Sequence, residues 1–261
     1  MLRVCRRFFA LLPILALAGC VTTETGAFTD KKDPQKAVEL SVQAARSYIQ
    51  RGNWEAAKRH LRSAMEMDER NAEVHEALGL VFQNTGEFEL ADQHFRRAVG
   101  LDGNSSRIRN NYAAFLYQQG KYQKAADQLE KVVADTLYEA RPAALTNLGL
   151  VRMKLRQYDA ARDAFERARL MDRKNPLTLF QLSEANYQLG ELARAQEYYD
   201  AYRKQVPRQT AGSLWLGIRL ADKFGDRNAM ASYALALKNL YPRSEEYLEY
   251  QRVYGNGADG K

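Results

Sequence analysis

The chain has 261 residues, 39 Lys+Arg against 32 Asp+Glu, and a formal net charge of +7; 46% of it is hydrophobic and 27% charged. That much apolar material excludes a disordered chain and supplies a sizeable core. Two Cys and three His exclude a disulfide-rich scaffold and leave little for a His/Cys metal site.

The N-terminus reads as a secretory signal. Arg3, Arg6 and Arg7 form a positive start, and Phe8 to Ala18 is an apolar run broken only by Pro13. Such a run is too short to cross a bilayer as a helix, which takes about 20 residues. Its end, Leu17-Ala18-Gly19-Cys20, resembles a bacterial lipobox. The resemblance implies cleavage before Cys20 and acylation of both its thiol and the new N-terminus. Residues 1–19 then leave, Cys5 among them, and the mature chain keeps no free thiol. With no acidic residue among 1–19, loss of Arg3, Arg6 and Arg7 lowers the charge from +7 to +4. A nucleic-acid partner is not expected outside the cytoplasm. Under the sorting rule of such lipoproteins, Asp after the Cys retains the protein in the inner membrane. Val21 stands there, so the expectation is the inner leaflet of the outer membrane, facing the periplasm. Residues 20–37 are expected to form the acylated Cys and a flexible polar tether.

A repeat follows. Gly-polar-aromatic-x-x-Ala begins at Gly52, Gly86 and Gly120, recurs in altered form at Arg156 and Gly190, and has a weak last copy at Gly225. The steps are 34, 34, 36, 34 and 35 residues. Upstream of the second copy's turn, Leu78, Gly79 and Phe82 share one helical face; downstream, Ala91, Phe95 and Ala98 share another. The fourth copy repeats this with Leu148, Gly149, Ala161, Phe165 and Ala168. Small residues at these points let two helices approach while a ring fills the gap. This pattern resembles the tetratricopeptide repeat, a helix–turn–helix unit. The expected boundaries are 38–71, 72–105, 106–141, 142–175, 176–209 and 210–244. One repeat cannot bury its own apolar stripe, so the units must stack. The expected fold is all-α, a right-handed superhelical solenoid of six helix pairs closed by a capping helix over Glu245 to Tyr254. Residues 255–261 are expected to be a disordered tail.

No catalytic constellation emerges, and the chain reads as a non-enzyme without cofactor, metal or small-molecule substrate. His75-Glu76 could begin a zinc-binding HExxH, but Gly79 stands where the second His belongs. His60 and His94 share one repeat position and read as partly exposed surface residues. Tetratricopeptide solenoids bind segments of other proteins in the groove lined by the first helix of each repeat. The carboxylate clamp of some members is not expected. Val42 and Arg46 stand where Lys and Asn are needed, and Glu76 would repel a carboxylate. The inward positions of the first two repeats give the candidate partner groove: Glu39, Val42, Arg46, Ile49, Glu76 and Leu80. Tyr117, Leu150, Met153, Phe180 and Tyr187 continue its apolar floor.

Four segments carry a closer resemblance: Asn110-Asn111-Tyr112-Ala113-Ala114-Phe115-Leu116-Tyr117, Asp135-Thr136-Leu137-Tyr138, Asn147-Leu148-Gly149-Leu150-Val151 and Leu216-Gly217-Ile218-Arg219-Leu220-Ala221. With six repeats behind a lipobox, the chain resembles the type IV pilus biogenesis and stability lipoproteins, the PilF/PilW pilotins. That resemblance implies binding to secretin subunits, delivery to the outer membrane and assembly of the ring through which the pilus passes. Unassembled secretin exposes apolar surface and strand edges prone to aggregate, and a lipidated solenoid can cover them. The alternative expectations are a lipoprotein scaffold for β-barrel assembly or for cell-wall enzymes, and, less favoured, a murein-acting enzyme.

Overall fold

The computed structural model describes residues 33–255. The expected signal, Cys20, the tether up to residue 32 and residues 256–261 lie outside the described residues. Within them the chain is entirely helical, with no strand. Six antiparallel pairs follow one another. They are α1 (Pro34–Gln50) with α2 (Trp54–Met67), α3 (Ala72–Thr85) with α4 (Phe88–Leu101), and α5 (Ser106–Gln118) with α6 (Tyr122–Ala134). Then come α7 (Arg141–Lys154) with α8 (Tyr158–Met171), α9 (Pro176–Gln188) with α10 (Leu192–Gln205), and α11 (Ala211–Phe224) with α12 (Arg227–Leu240). α13 (Glu245–Tyr254) closes the array, as expected for a capping helix.

One boundary differs from expectation. α1 starts at Pro34, so residues 34–37 belong to the first helix and not to the tether. Proline pre-sets the helical φ at a first-turn position where its missing N–H costs nothing. From there Val38, Val42 and Ala45 recur at i, i+4 and i+7 and are all buried.

Local chemistry sets the ends. Asn71 Oδ1 accepts from the backbone N–H of Glu73 at 3.0 Å and of Val74 at 3.2 Å, capping α3. Ser105, Thr210 and Ser244 cap α5, α11 and α13 in the same way. The turn glycines adopt the left-handed conformation, as Gly86 does at φ 84°. In the fourth repeat Arg156 takes that place at φ 58°, a conformation costing a non-glycine residue about 1 kcal/mol.

Packing follows the repeat. Gly79 on α3 faces Phe95 on α4, and a Cβ on Gly79 would meet the ring at 3.0 Å. Phe95 is fully buried and its ring centroid lies 5.4 Å from that of Phe115 in the next repeat, so the core runs on from unit to unit. The backbone of the first helix of each repeat comes close to that of the first helix of the next, whereas the second helices stand further apart and meet only through side chains such as Tyr199 of α10 and Tyr233 of α12. The first helices therefore form the inner layer of a curved array, and the second helices splay apart on its outside.

Candidate binding groove of the inner helix layer

The expected groove of the first two repeats is an ion-pair junction. Glu76 sits on α3 with no exposed surface. Arg46 of α1 donates to it at 2.8 Å, Arg107 of α5 donates to the same oxygen, and Asn111 of α5 donates to the other at 2.6 Å. Glu73 accepts from Arg107 at 2.9 Å and lies 3.5 Å from Arg46. A buried carboxylate costs several kcal/mol unless it is paired and hydrogen-bonded. Here two guanidiniums and an amide meet that need, and they tie three repeats together.

Two expected contact residues lie deeper than expected. Glu76 has no surface to offer a partner, and its charge is matched within the fold, so it does not stand in the groove as a repelling carboxylate. Val42, 3% exposed, packs in the first core with Leu61, Val74 and Ala77. Neighbouring helices cover both of them. Ile49 and Leu80 are half-buried against the core. Arg46 keeps about a third of its side chain exposed, and Glu39 is exposed, 3.5 Å from the Gln35 amide. What remains open is a mainly polar cleft of about 340 Å³ lined by Glu39, Gln43, Arg46, Ser47, Gln50 and Glu73, with the small exposed edge of Val42 at its floor.

The apolar opening lies further along. Between α5 and α7 a cavity of about 220 Å³ is lined by Ala113, Ala114, Tyr117, Leu129, Leu150 and Val151, with Gln118 and Asn147 at its polar edge. Tyr117 and Leu150 also line a neighbouring cleft of about 350 Å³ with Met153, Lys154, Tyr158, Gln181 and Gln188. The two form one groove across repeats three to five. Its floor is apolar, and its edges carry the cation Lys154 and neutral amides, each amide able to donate and to accept. Amides so placed can pair with the backbone of an extended segment while its side chains reach the floor. Phe180 and Tyr187, expected on the same floor, are engaged otherwise. Phe180 packs on Tyr202 with ring centroids 5.5 Å apart. Tyr187 lies 4.7 Å beneath the Arg219 guanidinium, which also forks onto Glu184 at 2.6 and 3.1 Å. Burial raises the Tyr187 phenol above its ordinary pKa.

A histidine pair was not anticipated. His75 Nδ1 and His94 Nδ1 lie 3.0 Å apart, and His75 Nε2 lies 2.9 Å from the Glu69 carbonyl. A carbonyl only accepts, so His75 Nε2 carries the hydrogen and its Nδ1 receives the His94 Nδ1–H. Burial, with His75 alongside, lowers the His94 pKa from 6.5 to about 4. His94 is thus a partly exposed residue, as expected, whose imidazole is held neutral and stacked 5.3 Å from Phe82. The signal available in sequence was that His75 and His94 fall on the two helices of one repeat. Among the described residues no group of three or more His, Cys, Asp or Glu is placed to hold a metal, and no helix is long and apolar enough to cross a membrane.

Comparison with known proteins agrees with this architecture. The tetratricopeptide repeat profile matches residues 76–144 and 146–213, and a TPR repeat profile matches 45–86. The type IV pilus assembly protein PilF of Pseudomonas aeruginosa is 39% identical over 247 residues, covering 94% of this chain and 98% of that protein. The solved structure of Pseudomonas aeruginosa PilF superposes with a TM-score of 0.75 at 40% identity, covering 85% of this chain and all of that one. The crystal structure of PilW, described as a widely conserved type IV pilus biogenesis factor, shares the fold with a TM-score of 0.73 at 24% identity, covering 82% of this chain and 98% of that one.

Proposed function

The chain belongs to the tetratricopeptide-repeat family and, within it, to the family of PilF, the type IV pilus assembly protein; from that premise we propose that it is an outer-membrane lipoprotein that binds secretin subunits and promotes their localisation and multimerisation. The observation that carries this reading is the near end-to-end relationship to PilF. The groove over Tyr117, Leu150 and Met153 supports it. An apolar floor between amide edges suits an extended, strand-forming segment, which an unassembled pore subunit must expose. The polar cleft at Glu39 and Arg46 offers a second contact beside the apolar one.

The mechanism is one of shielding and delivery. The solenoid covers the apolar stripe of a subunit until the stripe can pair within the ring. Acyl chains on Cys20 hold the complex at the membrane, because two or more chains anchor stably where one does not. Nothing in this requires bond chemistry by the protein, and its role is that of a binding scaffold.

The test is complementation of a strain lacking the chain. The wild-type chain should restore secretin multimers in the outer-membrane fraction, and Cys20→Ser should not, although it lies outside every helix described. Full multimers in the outer membrane of the deletion strain would remove the secretin role. Normal outer-membrane fractionation of the Cys20→Ser protein would remove the lipid anchor.

A further inference from the structure

Another cavity lies away from the groove over α5 and α7. It is a cleft of about 670 Å³ between the end of α10, the segment 206–210, the start of α11 and the last turns of α12. Its cationic side is Arg203, Lys204 and Arg208, against the single carboxylate of Asp200; its apolar side is Val206, Leu214 and Leu240.

The guanidiniums are held by their faces. Arg203 lies 5.7 Å over the ring of Tyr199 and 5.2 Å over that of Tyr233, and Arg208 lies 5.5 Å over Tyr241. Those rings are fixed in turn. The Tyr199 hydroxyl donates to Gln209 Oε1 at 2.8 Å or the Ser213 carbonyl at 2.9 Å, and the Tyr241 hydroxyl donates to the Gln209 carbonyl at 2.7 Å. A guanidinium stacked on a ring keeps its N–H edge for an in-plane acceptor, and fixing it beforehand lowers the entropy lost on binding.

Arg203 is ion-paired with Asp200 at 3.7 Å. Neither Lys204 nor Arg208 has a carboxylate at ion-pair distance among the described residues. This contrasts with the inner layer, where Arg46, Arg107 and Arg219 are each matched by glutamate. The cleft therefore holds an excess of positive charge beside an apolar wall.

We propose that this cleft is a second docking site, which takes an acidic protein segment whose carboxylates alternate with apolar side chains. The carboxylates meet the forks of Arg203 and Arg208 and the ammonium of Lys204, a charge-assisted and partly bidentate arrangement. The apolar side chains cover Val206, Leu214 and Leu240. The size of the cleft favours a chain segment over a single inorganic anion. The site is independent of the secretin reading, and its test uses no secretin.

The experiment measures fluorescence anisotropy of a short labelled peptide of alternating Glu and Leu, titrated with the purified full chain. A Gln/Leu peptide is the neutral control, and anionic phosphatidylglycerol vesicles are a separate arm. Saturable binding of the Glu/Leu peptide alone is expected, weakening as salt screens the exposed charges. Lys204→Gln with Arg208→Gln should reduce the affinity about tenfold or more, and Arg70→Gln, at a distant exposed site, should not change it. Should loss of the Arg208 stack disturb folding by circular dichroism, Lys204→Gln alone, at an exposed unpaired side chain, decides the matter with a smaller loss. Equal binding of both peptides, no binding, or affinity unmoved by the cleft variants overturns the proposal. So does vesicle binding that is lost in the same variants while the peptide fails to bind, because the cleft then reads a lipid surface.

Discussion

Gly149 of α7 lies against the ring of Phe165 of α8, so close that a Cβ on Gly149 would stand 2.6 Å from the ring's Cδ1 and Cζ. Phe165 is fully buried and has no room to retreat. Replacing glycine by alanine inside a helix ordinarily stabilises by about 1 kcal/mol. Here the overlap should outweigh that gain, because overpacking a core costs about 1–3 kcal/mol. Gly149→Ala is therefore expected to lower stability by about 1 kcal/mol or more in urea unfolding. Gly79→Ala, with its Cβ at 3.0 Å from Phe95, should come out closer to neutral. Gly79→Leu should again be strongly destabilising. The reverse order between the two alanine variants would show that the ring of Phe165 can move aside.

The junction at Glu76 gives a second contrast. Glu76→Ala removes the acceptor shared by Arg46, Arg107 and Asn111. Both arginines are about a third exposed and can regain water, so the loss should be about 2 kcal/mol, below the full cost of breaking a buried pair. Glu73→Ala, at a half-exposed site in the same cluster, should change stability by about 0.5 kcal/mol or less. Equal effects in chemical denaturation would mean that burial of Glu76 does not set its weight.

His94 makes stability depend on pH. Its folded pKa, about 4, lies below the ordinary 6.5, so the folded chain binds this proton less readily than the unfolded one. The contribution is fully present above pH 6.5 and is lost as pH falls toward 4. His94→Gln should flatten this part of the profile: the gap in melting temperature between wild type and variant should narrow or reverse from pH 7 to pH 5. A constant gap would place His94 in a solvated setting.

The solenoid was legible because each repeat shows the same few requirements. A turn residue must accept a left-handed backbone, small residues must stand where helices cross, and a ring must fill the gap. Arg156 shows that even a departure from glycine leaves the turn where the spacing puts it. The groove was less legible because periodicity gives the direction of a side chain but not its depth along the helix. Val42 and Glu76 occupy the same repeat position and both point inward, yet neighbouring helices cover that level. The later positions that hold Tyr117, Leu150 and Met153 remain open. The start of α1 was missed because the polar residues beside Pro34 look like a tether, until Val38 and Val42 find the core.

That difference in depth decides how the client site should be probed. Asp at Val42 would place a charge in the first core and unfold the repeat, so loss of binding there would say nothing about contact. Tyr117 and Leu150 are half-buried at the rim of the core and shared by the two adjoining openings, so Asp at both should remove apolar contact with less loss of helicity than Asp at Val42. Secretin multimers should fall sharply in cells carrying Tyr117→Asp with Leu150→Asp, while circular dichroism and the amount of protein change little. Glu39→Ala with Arg46→Ala probes the polar cleft of the first repeat and should have a smaller effect, because exposed charged contacts contribute about 1 kcal/mol or less. If the Tyr117 and Leu150 pair leaves multimers intact and the Glu39 and Arg46 pair abolishes them, the client is held by the first repeat. The apolar groove over α5 and α7 would then belong to another partner.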